Sequence, residues 1–172
     1  MSRHRVDGWR IDIERRADVP RLVPATVLAR DVARALAAAG APSPASLGLI
    51  LCDDRELAEL NAEHMGQAGP TDVLSFPLLP PEAYRDGFAG PAFVLPPGRF
   101  PHLGDVVVSV ERAIEQAEEG RGGHTGDVRW SPAEELRLLV THGVLHVCGR
   151  DHAEPAEEAG MRALERRLLA RS

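Results

Sequence analysis

The sequence predicts an α/β (α+β) single domain: a small mixed sheet packed with helices around one central, buried helix. Three observations carry that reading. Apolar stretches of strand length alternate with stretches of helical period along the chain. One helical stretch, from about Pro132 to Cys148, is apolar nearly all round beyond Arg137, and a helix without a polar face belongs in the core. The length, 172 residues, suits one domain that buries roughly two-thirds of its unfolded surface. No internal repeat and no boundary of composition divides it.

The elements follow in order. Trp9 to Arg16 alternates, with Trp9, Ile11 and Ile13 on one side, and predicts a first strand. Pro24 to Ala39 has a helix-starting Pro, a helical apolar period (Val27, Leu28, Val32, Ala35, Leu36) and Gly40 just past its end. Ala41 to Pro44 is a turn. Ser46 to Cys52 is a short apolar strand, and Asp53-Asp54 then caps a helix from about Arg55 to His64. Asp72 to Phe76 reads as a third strand, ended by Pro77. Leu78 to Pro101 carries six prolines besides its glycines, which breaks any regular element. It is either a lid or a tolerated insertion, and insertion is the favoured reading. His102 to Val110, with its valine run, predicts a strand buried on both faces. Glu111 to Glu119 forms a helix, and Arg121 to Gly126, including His124, a solvated loop. Glu154 to Arg171 closes the chain as an amphipathic helix, with Met161, Leu164, Leu168 and Leu169 inward and Arg162, Glu165, Arg166 and Arg171 outward.

The central helix is marked at both ends. Ser131-Pro132-Ala133-Glu134 is a capping box with Pro at the first helical position, and Gly149 supplies the left-handed turn that ends a helix. Within it, His142 and His146 stand four apart and so share one face. After the reversal at Gly149 the chain can return His152 as a third ligand. Three histidines leave the fourth tetrahedral position of a zinc ion open, as catalytic sites do. Zinc, one per chain, is the expected metal, with iron, nickel and copper as alternatives. Cys148 lies about 200° round the helix from His146 and is no fourth ligand. Both Cys148 and Cys52 read as reduced core residues.

The spacing H-x-x-x-H-x-x-G-x-x-H also occurs in zinc proteases that place a Glu directly after the first His as general base. Here that residue is Gly143, which cannot take a proton. Net charge is −6 and every basic residue is Arg, which argues against broad nucleic-acid binding through counterion release but leaves room for a local basic cleft. No apolar run reaches the roughly 20 residues of a membrane span and no leader pattern opens the chain, so the expected location is the cytoplasm.

The string His142-Gly-Val-Leu-His-Val-Cys-Gly-Arg-Asp-His152 resembles the HGxLHxxGxDH signature of the YbeY family of bacterial endoribonucleases. Pro70-Thr-Asp-Val-Leu-Ser-Phe-Pro77 and Leu103-Gly-Asp-Val-Val-Val-Ser109 are similar to two further blocks of that family, in the family's order. One position departs: His64-Met65-Gly66 stands where relatives commonly carry an Arg, and a thioether cannot clamp a phosphate.

The resemblance implies metal-dependent cleavage of single-stranded RNA in ribosomal RNA maturation, above all at the 3′ end of the small-subunit RNA, and in ribosome quality control. Implied partners are ribosomal RNA, the ribosome and small-subunit ribosomal proteins, with no DNA and no membrane. It places the Asp72–Phe76 strand along the metal cleft, which makes Thr71 and Ser75 expected substrate contacts; Arg150, within the histidine block, is another. The general base is expected to be a carboxylate from elsewhere, with Asp72 the candidate, or hydroxide on the metal. Asp151 is a candidate acceptor for a ligand imidazole. Two other readings are a ribosome-associated assembly module with a mainly structural zinc, and a zinc hydrolase of another substrate class.

Overall fold

The computed structural model describes residues 1–66, 69, 71–84, 99–120, 130–150 and 155–170. Five strands, β1 (Ser2–Val6), β2 (Trp9–Arg15), β3 (Ala45–Cys52), β4 (Val73–Pro77) and β5 (His102–Ser109), form one sheet in the order β1-β2-β3-β5-β4. The three central strands run parallel, and β1 and β4 flank them antiparallel. The described residues also form five helices: α1 (Ala25–Ala39), α2 (Asp54–Met65), α3 (Val110–Glu118), α4 (Pro132–Val147) and α5 (Pro155–Leu169). The domain is therefore the expected α+β structure, a mixed sheet with a buried helix packed on it.

Strand alternation sorts the core. Ile11 and Ile13 of β2, Leu47, Leu49 and Leu51 of β3, and Val106 and Val108 of β5 point to one face, where α1 and α4 cover them. The opposite residues Cys52, Leu74 and Val107 form a smaller cluster with Leu57 of α2. Each fully buried aliphatic side chain contributes roughly 1.5–3 kcal/mol, so the larger face carries most of the stability. On its other side α4 is sealed by α3, α1 and α5.

Several boundaries differ from the expectation, each for a local reason. The sheet has a strand before the first expected one. Its side chains are mostly charged or polar because β1 is an edge, so hydrophobic alternation does not reveal it. Asp7-Gly8, both at positive φ (48° and 92°), make the two-residue hairpin turn between Val6 and Trp9. Val110 belongs to α3 rather than to β5, because the Ser109 hydroxyl accepts from Arg112 N and starts the helix there. The proline-rich stretch is not wholly irregular: Pro81–Tyr84 forms a short 3-10 turn whose Tyr84 is buried. Most of the rest of that stretch, and the loop with His124, lie outside the described residues.

Candidate metal centre

Helix α4 starts as its sequence predicts. Ser131 accepts from Glu134 N while the Glu134 carboxylate accepts from Ser131 N, 2.8 Å away; that bond and one from the Ser131 hydroxyl hold the Glu134 carboxyl below its ordinary pKa. At the other end Arg150 N donates to Leu145 O and Gly149 N to His146 O, with Gly149 at φ 73°. This pair of bonds is the Schellman turn, and it fixes the direction in which the chain leaves the second histidine.

Position along the sheet is set by Gly143. A Cβ there would lie 2.5 Å from Val106 Cγ1 and 2.8 Å from Val73 Cγ2, so α4 sits closer to β4 and β5 than a side chain would permit. Ser75 Oγ donates to Gly143 O at 2.9 Å and ties strand to helix at that level. The residue after His142 thus packs on Val106, Val73 and Ser75, and a larger side chain there has no room unless they move.

The two histidines line the cleft beside β4. His142 Nε2 and His146 Nε2 are 3.0 Å apart. His142 Nδ1 is 2.7 Å from Oε1 of Glu165, on α5. A carboxylate acceptor at Nδ1 places the proton on that nitrogen and leaves the Nε2 lone pair toward the cleft. Two imidazole nitrogens this close need a proton or a cation between them, and the separation is near the about 3.3 Å that two ligands keep on a tetrahedral zinc. The pair fits a metal on donor chemistry and on geometry. His152 and Asp151 lie outside the described residues, and among the described residues no group of three metal-binding side chains assembles.

Glu165 corrects an expectation. It was assigned to the outward face of the last helix, yet it is 2 % exposed. It follows Met161 by four residues and precedes Leu168 by three, which puts it on the inward stripe. A carboxylate within an apolar stripe is the signal that marks it.

The other expected residues divide into two groups. Thr71, Asp72 and Ser75 line an open cleft of about 570 Å³ together with Met65, Pro77 and both histidines. Asp72 is held there by Gln116 of α3, whose Nε2 donates to Oδ2 at 2.9 Å; sequence reasoning did not single out Gln116. The Ser75 hydroxyl proton is committed to Gly143, so toward a substrate Ser75 can only accept. Arg150 stands apart from this cleft, exposed, in an adjoining hollow that it shares with His146. Cys148 is buried, 3 % exposed, and burial pushes its thiol up to about 12.

The family model described as endoribonuclease YbeY matches residues 15–172. Relatives bearing that name include one from Symbiobacterium thermophilum, 42% identical over 135 residues, covering 78% of this chain and 76% of that one. A Salinispora tropica relative is 47% identical over 127 residues, 73% of each chain. One from Roseiflexus castenholzii is 36% identical over 160 residues, 92% of this chain and 90% of its own. The solution structure of a Thermotoga maritima protein has the same fold, with TM-score 0.56 at 24% identity, over 92% of this chain and 86% of that one. With histidines, capped helix and sheet placed as above, the chain belongs to the YbeY endoribonuclease family.

Proposed function

We propose that this protein is a zinc-dependent, single-strand-specific endoribonuclease acting in ribosomal RNA maturation, at the 3′ end of the small-subunit RNA, and in ribosome quality control. The observation that carries the zinc reading is the convergence of His142 and His146 through Nε2 atoms 3.0 Å apart, with Glu165 fixing the orientation of the first. Family membership supports the nuclease reading. Single-strand preference is supported by the rim. Among the described residues, the exposed large apolar ones apart from Met1 are Met65 and Leu78, Met65 on the cleft wall and Leu78 next to Pro77. His64 meets Phe76 edge to face nearby. Unstacked bases take such surfaces, whereas paired bases are hidden within a duplex.

In this reading His142, His146 and His152 hold the zinc. Bound there, zinc would neutralise charge on the scissile phosphate and lower the pKa of water. Glu165 keeps His142 in the ligating tautomer. Asp72, anchored through Oδ2, keeps Oδ1 for the proton of the attacking water; Oδ1 has no partner among the described residues. Thr71 and Ser75 border the path of the strand.

The test is cleavage of a single-stranded RNA carrying a small-subunit 3′-end sequence by protein stripped of metal and reloaded with zinc. Zinc-restored cleavage that is lost in His146→Ala is the expected outcome. A folded, zinc-loaded protein that binds this RNA without cutting it would overturn the nuclease reading in favour of an assembly module. Met65→Arg is the next variant in that event, since a guanidinium at that wall could clamp a phosphate.

A further inference from the structure

The histidine cleft continues beyond His146. His146 and Pro77 also line a second hollow of about 260 Å³, whose walls include Pro81, Gly149 and Arg150. Those three residues in turn line a third hollow of about 740 Å³, closed on its far side by Glu157 and Arg167 of α5. The three hollows share walls and succeed one another as a stepped groove from the Thr71–Ser75 segment past His146 to α5. Between the second and the third stands a contact. Pro81 packs against the turn that ends α4, so closely that a Cβ on Gly149 would lie 2.6 Å from Pro81 Cβ.

Charge is distributed unevenly along this groove. The described walls of the histidine cleft include no Arg, so the first guanidinium met along the groove is Arg150. Arg150 and Arg167 are both exposed. Among the described residues Arg150 reaches only the Ala38 carbonyl, at 3.5 Å, and Arg167 makes no hydrogen bond or ion pair. Several other arginines are tied to carboxylates, among them Arg10, Arg16, Arg112 and Arg137. In a chain with a net charge of −6, Arg150 and Arg167 instead share one hollow. Glu157 shares that hollow and has an interaction of its own; among the described lining residues the charges are two cations and one anion.

We propose that Arg150 and Arg167 form a phosphate subsite that holds the backbone of a single-stranded RNA on the far side of His146 from Asp72. The inference rests on the endoribonuclease reading and adds where the strand's charge is met. Guanidinium pairs suit internucleotide phosphates because each can donate two bonds to one phosphate.

Fluorescence anisotropy with the full chain and a labelled 2′-O-methyl RNA, checked for integrity after each titration, tests this. Arg167→Ala should weaken binding about tenfold at low salt. It should also reduce the slope of log affinity against log salt by about 0.7, the value of one single-strand phosphate contact. Arg150→Ala should act in the same direction, and Arg167→Lys should restore most of the slope. Arg166→Ala removes the same charge from the same helix but lies by Trp130 in a separate hollow, and it should leave the slope unchanged. Equal effects of Arg166→Ala and Arg167→Ala would reduce the result to bulk charge and overturn the subsite. So would an unchanged slope in Arg167→Ala, or a wild type that does not bind the RNA. Zinc-restored cleavage by the wild type, measured separately, shows whether the nuclease reading survives any of these failures.

Discussion

Two carboxylates grip α4 from flanking helices, and their comparison separates architecture from chemistry. Asp31 of α1 and Glu165 of α5 are each 2 % exposed. Asp31 accepts from Arg137 Nε at 2.7 Å and Nη2 at 2.9 Å, one bond on each oxygen, and Oδ1 also takes Arg34 at 2.6 Å. Glu165 offers Oε1 to one nitrogen of His142 at 2.7 Å. Burial and distance are alike; the partners are not. A bidentate guanidinium is always charged and presents no acceptor to a ligand. An imidazole held at Nδ1 still has Nε2, and here that atom stands 3.0 Å from His146 Nε2 on the wall of the cleft. A buried acid therefore marks a framework when its partner has nothing left to give, and a site when its partner has a second functional atom aimed at a cleft.

Isosteric amides put the two grips on equal terms. Asp31→Asn leaves guanidiniums without their counter-charge in the interior, and breaking a buried pair in this way costs about 3–5 kcal/mol. Urea unfolding should show that loss, while the zinc stoichiometry of the protein that remains folded is unchanged. Glu165→Gln should do the reverse. Calorimetric or competition titration should give a 10–100-fold weaker zinc affinity, as expected when the acceptor behind a ligand imidazole is changed. The metal-free unfolding free energy should shift by less than about 1 kcal/mol, because the amide oxygen still accepts from Nδ1. If Glu165→Gln cost as much stability as Asp31→Asn and left zinc affinity intact, the two acids would be equivalent and the distinction would fail.

Between the grips lies Gly143, where helix position is decided. Gly143→Ala forces a methyl against Val106 and Val73, and overpacking of this kind costs about 1–3 kcal/mol. The same methyl would lift α4 from β4 and strain the Ser75–Gly143 bond, so zinc affinity should weaken along with stability. Val106→Ala in the same chain removes the nearest obstacle and should recover part of both. Without that recovery the cost of Gly143→Ala would have to come from elsewhere than this contact.

The way the two acids were overlooked shows what a sequence exposes. His142 and His146 are legible because four residues along a helix is a local relation, and the capping box and Gly149 are local as well. The acids join α4 across 106 and 23 residues, and no local pattern states such a pairing. What the chain does contain is their misplacement: Asp31 lies among Leu28, Val32 and Ala35, and Glu165 between Met161 and Leu168, both on apolar stripes. Reading Glu165 by residue type turned it outward; reading it by position turns it inward. The strand β1 is missed for the complementary reason. An edge strand needs no apolar face, and only Asp7-Gly8 betrays the hairpin.

A half-exposed pair supplies the weakest case of an acid holding a ring. His102 Nε2 lies 3.2 Å from Asp105 Oδ1, with the two side chains 36% and 44% exposed, and Ser46 Oγ is 3.0 Å from His102 Nδ1. The hydrogen bond to Asp105 raises the His102 pKa above its ordinary value despite the opposing effect of burial. A group whose folded pKa is raised stabilises the fold fully below its unfolded pKa of about 6.5, and that contribution disappears as pH rises through the folded value. Solvent screening limits it to under about 1 kcal/mol. The difference in unfolding free energy between wild type and His102→Gln should therefore be largest in mildly acidic buffer and shrink in alkaline buffer. A difference that grows with pH would mean that the imidazole is held neutral, and that Asp105 does not act on its ring as a charge.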